Sequence, residues 1–157
     1  MRTRLLIAMV VVMLTALLLS AVWAQPADVV AASTVRFAMI DVMIDSHEIP
    51  LAAYQCELAV KKGDALIVGI EGGAPAVFQD PPHYDPAALL NKHIILAAFT
   101  TSDNLPKGQF RIARLHLQIT GPATETPDYA IQLTLAADRT VQRIPATVSV
   151  RDAAITH

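Results

Sequence analysis

The stretch FRIARLHLQIT, residues 110–120, decides the fold class of this 157-residue chain. Its apolar residues recur at every second position, at Ala113, Leu115, Leu117 and Ile119. The polar residues Arg114, His116 and Gln118 occupy the positions between them. A period of two predicts a β-strand with one face buried and the other in contact with water.

Further strands are predicted on both sides of this one, at residues 35–45, 51–60, 65–71, 93–100, 129–135 and 142–150. Turns rich in Gly, Pro and Asp separate them. Residues 79–86 carry three prolines and predict a loop, with one helical turn expected at residues 87–90. No helical period is found after the first 24 residues. The pattern predicts an all-β fold, an antiparallel two-sheet β-sandwich of the jelly-roll kind; an immunoglobulin-like strand order and a closed barrel remain alternatives.

The first 24 residues have the three parts of an export signal. Arg2 and Arg4 precede an apolar stretch of about 15 residues, shorter than the roughly 20 that span a bilayer. Small residues before position 25 place the cleavage between Ala24 and Gln25. We therefore expect a signal-peptide helix at residues 1–24 and a secreted or periplasmic product with no membrane contact after cleavage. A retained N-terminal anchor is the alternative. Residues 25–33 are predicted to form a linker or an edge strand.

Cleavage leaves about 133 residues, enough for one domain with its own core. Arg2 and Arg4 leave with the signal, so the basic residues fall from 12 to 10 against 14 acids. A mildly acidic chain whose only adjacent basic pair is Lys61-Lys62 argues against nucleic acid as a partner. The single cysteine, Cys56, cannot close an internal disulfide, so packing must hold the domain together.

The order of apolar strands and glycine turns resembles a bacterial cohesin domain over residues 34–151. The resemblance is carried by VMIDS (42–46), LAAYQCEL (51–58), LIVGIEGG (66–73), IILAAF (94–99), LPKG (105–108) and IARLHL (112–117). It implies a nine-stranded jelly roll related to carbohydrate-binding modules. Residues 152–157 then form a C-terminal tail. The Tyr-Asp-Pro turn expected after the second of these segments is instead found at residues 84–86.

The function that the resemblance implies is binding, because cohesins hold dockerin-bearing proteins on extracellular scaffolds. We expect a non-catalytic domain that mediates protein–protein assembly or adhesion, with a dockerin-like or other extracellular protein as its partner. The predicted binding surface is the polar strand face around Gln55 and Glu57, together with Asp80, Tyr84 and Asp85 of the loop.

Two other functions remain alternatives. A carbohydrate-binding module would hold polysaccharide on exposed aromatic residues, but the chain has few, and Tyr84 with Phe78 is the loop pair that could form a small contact site. A secreted hydrolase would need paired carboxylates, for which Asp41, Glu57 and Glu71 are the strand acids. No Gly-x-Ser-x-Gly motif or other catalytic residues are recognised.

No cofactor is expected, although calcium is left open. Calcium binds oxygen ligands from flexible loops, and the candidate ligands are Asp45 and Glu48 in one turn and Asp80 and Asp85 in the Pro-rich loop. The five histidines form no metal-binding motif, so surface or strand-edge positions are expected for them.

Overall fold

The computed structural model describes residues 34–153, which form seven β-strands and two short 3₁₀ helices. The strands are β1 (Thr34–Asp45), β2 (Ala53–Lys62), β3 (Asp64–Glu71), β4 (His93–Phe99), β5 (Gln109–Gly121), β6 (Asp128–Ala137) and β7 (Thr147–Asp152). The 3₁₀ helices are Ala76–Phe78 and Pro86–Ala88. The predicted signal peptide, its cleavage site, residues 25–33 and most of the predicted C-terminal tail lie outside the described residues.

The strands form two antiparallel sheets. One has four strands in the order β3-β5-β1-β7, and the other has three strands in the order β4-β2-β6. The predicted all-β, two-sheet antiparallel fold is thereby confirmed. Seven strands are present in residues 34–153, whereas the cohesin resemblance implies nine. An isolated bridge between His83 and Ala97 adds one further pairing at the outer edge of β4.

Alternate residues of both sheets meet in one hydrophobic core. Strand β5 is the longest, and its predicted apolar face is fully buried at Ala113, Leu115 and Leu117. Strand β2 likewise buries Tyr54, Cys56 and Leu58, as its alternation predicts. The other five strands contribute as well. Buried core residues in them include Ile40, Val42, Ile44, Ile67, Ile94, Leu96 and Ala136, and the half-buried Val148 and Val150 of β7 pack against this core.

Charged residues cross the outer face of the four-stranded sheet in one row. Asp41 in β1 lies opposite Arg114 of β5 on one side and Arg151 of β7 on the other. Arg114 donates two hydrogen bonds to Asp41, at 2.7 and 3.1 Å, and these bonds raise the pKa of its guanidinium. Glu71 of β3, opposite Arg114 on its other side, completes a row of alternating sign. Cross-strand pairs of opposite charge favour this register.

A long connection between β3 and β4, residues 72–92, covers one flank of the sandwich; we call it the flank loop. Leu90 N donates to the Ile67 carbonyl and Ile67 N donates to the Asn91 carbonyl, which pairs the loop with the outer edge of β3. His83 exchanges two backbone hydrogen bonds with Ala97 at the outer edge of β4. Only glycine fits at position 72, where the loop begins, because a Cβ atom there would lie 1.9 Å from the Gln79 carbonyl oxygen.

The last strand differs from its prediction. Strand β7 begins at Thr147 rather than at residue 142, because the chain first makes a tight turn after β6. Ile144 N then donates to the Ala136 carbonyl, which ties this segment to the end of β6, and Pro145 has no amide hydrogen to continue a ladder. The strand ends at Asp152, and Ala153 is buried and donates to the Met39 carbonyl.

Candidate functional site

The outer face of the three-stranded sheet carries the two strand residues of the predicted binding surface. Strand β2 lies in the centre of this sheet, and its inward residues alternate with Gln55 and Glu57 on the outside. Glu57 is exposed and Gln55 is half-buried. Because β2 is flanked on both sides, its outward side chains lie in a flat surface rather than at an edge.

Strand β4 contributes the neighbours of these residues. Ile95 lies opposite Glu57, and Phe99 lies opposite Ala53. Ile95 is 45% exposed and Phe99 is 71% exposed, which is unusual for side chains of this size. His93 Nε2 lies 2.7 Å from Glu57 Oε1, in a hydrogen bond across the two strands. Polar and apolar groups therefore alternate over a small area, as in many protein interfaces.

Strand β6 completes the surface on the other side of β2. Gln132 lies opposite Glu57, and Leu135 lies opposite Gln55. We refer to the outward residues Gln55, Glu57, His93, Ile95, Phe99 and Gln132 as the candidate face. Besides the polar residues Gln55 and Glu57 that the sequence predicts, the face carries two exposed apolar side chains from β4, Ile95 and Phe99.

The loop residues of the predicted surface lie beside this face but do not converge on it. Asp80 and Asp85 are exposed in the flank loop, and Tyr84 is half-buried against the core. The loop is held next to the face by His83, whose ring stacks on Phe99 at a centroid distance of 6.5 Å and an interplanar angle of 16°. His83 is therefore a loop group in direct contact with the face.

The predicted contact pair of Tyr84 and Phe78 does not form a surface site. Phe78 is only 3% exposed, and its ring packs edge-on against Tyr54 at 5.4 Å. The 3₁₀ helix Ala76–Phe78 turns this side chain inward, where its burial stabilises the fold. Phe78 is a core residue of the flank loop.

Sequence reasoning missed His93, Ile95, Phe99 and Gln132 as members of the face. The alternation of residues 93–99 was the available signal, because Ile94 and Leu96 are inward and their neighbours point outward. The alternation gives the direction of these side chains but does not reveal that β2 is the strand that pairs with β4. The contact of His93 with Glu57 joins residues that are 36 positions apart.

Three of the four candidate calcium ligands are engaged elsewhere. Asp45 accepts a hydrogen bond from the His47 backbone amide, and Asp85 accepts one from the Ala87 amide at the start of a 3₁₀ helix. Glu48 lies 2.7 Å from Lys107 Nζ, and this hydrogen bond is the main cause of its lowered pKa. Asp80 is exposed. Within residues 34–153, no three side chains of His, Cys, Asp or Glu are grouped to hold a metal ion.

The strand acids weighed for hydrolysis do not face one another across a cleft. Asp41 and Glu71 lie on the outer face of the four-stranded sheet with Arg114 between them. Glu57 lies on the other sheet. Asp41 is paired with Arg114, and Glu71 Oε1 lies 2.7 Å from His116 Nε2. Each of the three acids therefore has a partner of its own.

A groove of about 370 Å³ is present at the end of the sandwich, between the loops that follow β1, β4 and β6. Ile49, Pro50 and Leu105 form its apolar part. Its acids are already paired, because Asp103 lies 2.6 Å from Arg139 and Asp138 accepts hydrogen bonds within its own turn.

The one thiol is buried between the sheets. Cys56 is fully buried, and burial raises its pKa to about 12. Tyr54, beside it on the same strand, is also buried, which raises the pKa of its hydroxyl. Both groups are neutral at physiological pH.

No helix among residues 34–153 is long and apolar enough to cross a membrane. Comparison of the chain with family models, with curated proteins and with solved structures finds no match.

Proposed function

We propose that this protein is an exported, non-catalytic binding domain that holds an extracellular protein partner on the candidate face. The observation that carries the proposal is the exposure of Ile95 and Phe99 on a flat strand surface beside Gln55, Glu57 and His93. Exposed apolar side chains surrounded by hydrogen-bonding groups are typical of protein interaction surfaces. The predicted signal peptide at residues 1–24 supports a secreted or periplasmic location.

The resemblance of the strand pattern to cohesins supports assembly or adhesion as the purpose of this binding. The proposed partner is a dockerin-like protein or another extracellular protein. On a flat face, a few central side chains supply most of the affinity. Phe99 is the largest exposed group on the candidate face, and we assign it the main contact.

A polysaccharide is the alternative ligand, and the stacked pair of Phe99 and His83 is the observation in its favour. Sugar rings stack on aromatic faces, and a long chain needs several such faces in a row. Among the described residues, Phe99 is the single strongly exposed aromatic residue of the candidate face. This arrangement favours a protein partner over a long glycan. The pairing of the candidate catalytic acids favours binding over hydrolysis.

The test is a pull-down from the native secretome with two variants that are matched in chemistry. Phe99→Asp places a charge on the candidate face, and Phe37→Asp places the same charge on β1 in the other sheet. Both phenylalanines are 71% exposed, so neither change empties the core. We expect Phe99→Asp to lose the captured protein, with an affinity reduced at least about tenfold. We expect Phe37→Asp to retain it.

Three outcomes distinguish the alternatives. Loss of a protein partner by Phe99→Asp alone supports the proposal. Capture that survives Phe99→Asp and is lost with Phe37→Asp moves the interface to the other sheet and contradicts it. Binding of purified polysaccharide in a gel-retardation assay, abolished by Phe99→Asp, selects the glycan alternative instead.

A further inference from the structure

The edge strands of the sandwich differ in how they are protected. The flank loop forms hydrogen bonds with the outer edges of β3 and β4. Strand β7 has six residues and carries the charged pair Arg151 and Asp152. Charge, short length and covering loops are the usual ways in which natural proteins prevent an edge from pairing with another chain.

Strand β6 is protected only at its end. There, Ile144 N donates to the Ala136 carbonyl and Arg143 Nη1 donates to the Thr134 carbonyl at 3.3 Å. Between Tyr129 and Leu133, no backbone group of residues 34–153 bonds to the outer side of the strand. This free segment reads Tyr-Ala-Ile-Gln-Leu, with no charge and no proline. Its residue types favour strand pairing.

A groove of about 320 Å³ lies beside this free segment, between β6 and β7. Its apolar lining is Tyr129, Ile131 and Val150, all of them half-buried, and its polar lining is Thr126, Asp128 and Asp152, all of them exposed. Burial is the main cause of the raised pKa of Tyr129. An added strand would therefore gain both backbone hydrogen bonds and contact with apolar side chains.

We infer that the occupant of this edge is a second copy of the same chain, joined by antiparallel pairing of the two β6 strands. Antiparallel pairing of identical strands has twofold symmetry, and cyclic dimers of this kind are the commonest oligomers. With the axis at Ile131, the middle of the free segment, Tyr129 lies opposite the partner's Leu133. Asp128 then lies opposite the partner's Thr134.

Charge complementarity supports this register. Asp128 and Arg143 are both exposed, and neither forms an ion pair within residues 34–153. Arg143 lies on the carbonyl of Thr134, so the pairing brings Asp128 of each protomer to the partner's Arg143. The contact occurs twice by symmetry. The dimer has one continuous sheet of six strands, with a candidate face on each half.

The experiment measures the mass of the chain in solution, with its N terminus as the expression host processes it, by sedimentation velocity over a range of concentrations. We expect a dimer. Asp128→Arg and Arg143→Asp each place two like-charged pairs across the axis, and each should weaken the dimer about tenfold or more. The double variant restores opposite charges and should recover most of that loss. Asp103→Arg, the same charge change on a 96% exposed side chain in the connection between β4 and β5, should have no effect.

Circular dichroism of each variant checks that the fold is retained. Hydrogen exchange locates the interface, and we expect slower exchange of the amides between Tyr129 and Leu133 in the dimer than in the diluted monomer. A monomer at every concentration overturns the inference. So does a double variant that dimerises no better than the single ones, or a dimer in which these amides are not protected. The measurement does not depend on the extracellular partner, so the inference and the proposed function can fail separately.

Discussion

At the scale of the residue, Tyr54 is the polar link between the two sheets. Its hydroxyl donates a hydrogen bond of 3.0 Å to the Ile112 carbonyl, and both groups are buried. Tyr54 lies in β2 and Ile112 in β5, so the bond joins opposite layers. If the donor is removed, the buried carbonyl has no hydrogen-bond partner, and the free-energy cost of removing it from water is no longer compensated.

We therefore expect Tyr54→Phe to lower the free energy of unfolding by about 1–2 kcal/mol, although the ring and its contact with Phe78 are kept. Urea denaturation measures this loss. Tyr84→Phe is the matched control, because Tyr84 is half-buried and forms no side-chain hydrogen bond in the described residues. An equal loss in the two variants would show that the bond to Ile112 contributes nothing specific.

Cys56 gives a second prediction at this scale. Because burial raises its pKa to about 12, the thiol stays protonated well above neutral pH and has almost no reactive thiolate. We expect no reaction with a disulfide reagent at pH 8 in the native protein and full reaction after denaturation. Rapid labelling of the native protein would mean that the sheets open frequently enough to expose the core.

At the scale of the element, the turn after β6 holds an unusual backbone. Val141 has φ of 62°, in the left-handed region that β-branched residues avoid, and its side chain is 83% exposed. Asparagine tolerates this conformation. We expect Val141→Asn to raise the free energy of unfolding by about 1 kcal/mol, because strain is relieved without loss of buried surface. Val35→Asn, an exposed valine in a strand, should not stabilise the protein in the same denaturation experiment.

Asp138 closes the same turn and gives it a dependence on pH. Its carboxylate accepts hydrogen bonds from the Thr140 side chain and from the Gln142 and Thr140 amides, and these bonds lower its pKa. A lowered pKa means that the stabilisation is present above the unfolded pKa of about 3.9 and is lost as the pH falls through the folded value. We expect the stability difference between the wild type and Asp138→Ala to be constant near neutral pH and to shrink below about pH 4. Asp138→Asn is the control. Neither asparagine nor alanine ionises, so the stability difference between these two variants should not change with pH. A difference that does not change with pH would show that the charge is not involved.

The sequence predicts strands better than it predicts turns and neighbours. Period-two alternation identified β5 and both faces of β2, because burial on one side imposes that pattern on any strand of a sandwich. The same alternation, at Ile144 and Ala146, wrongly predicted that the last strand begins at residue 142. Pro145 lies in this segment and has no amide hydrogen, so the segment does not join a strand ladder. The candidate face could be predicted only for Gln55 and Glu57. Phe99 and His93 join it through pairing between distant strands, which no local pattern reveals.

At the scale of the whole molecule, one core serves both sheets. Side chains from all seven strands contribute to it, so neither layer can keep its apolar face buried without the other. We expect a single cooperative unfolding transition, in which far-ultraviolet and near-ultraviolet circular dichroism give the same midpoint in urea. Refolding should take about milliseconds to seconds, because most strand pairs join distant parts of the chain. Separate midpoints for the two signals would show that one layer persists alone.

The flank loop also limits how large an assembly can become. Growth of a sheet into a fibril requires each molecule to have two free sheet edges, one that pairs with the molecule above and one that pairs with the molecule below. In the described part of the chain, the loop is hydrogen-bonded to the outer edges of both β3 and β4. The sheet that the inferred pairing of two β6 strands would form therefore ends after one addition, because His83 of the loop is bonded to the opposite edge at β4.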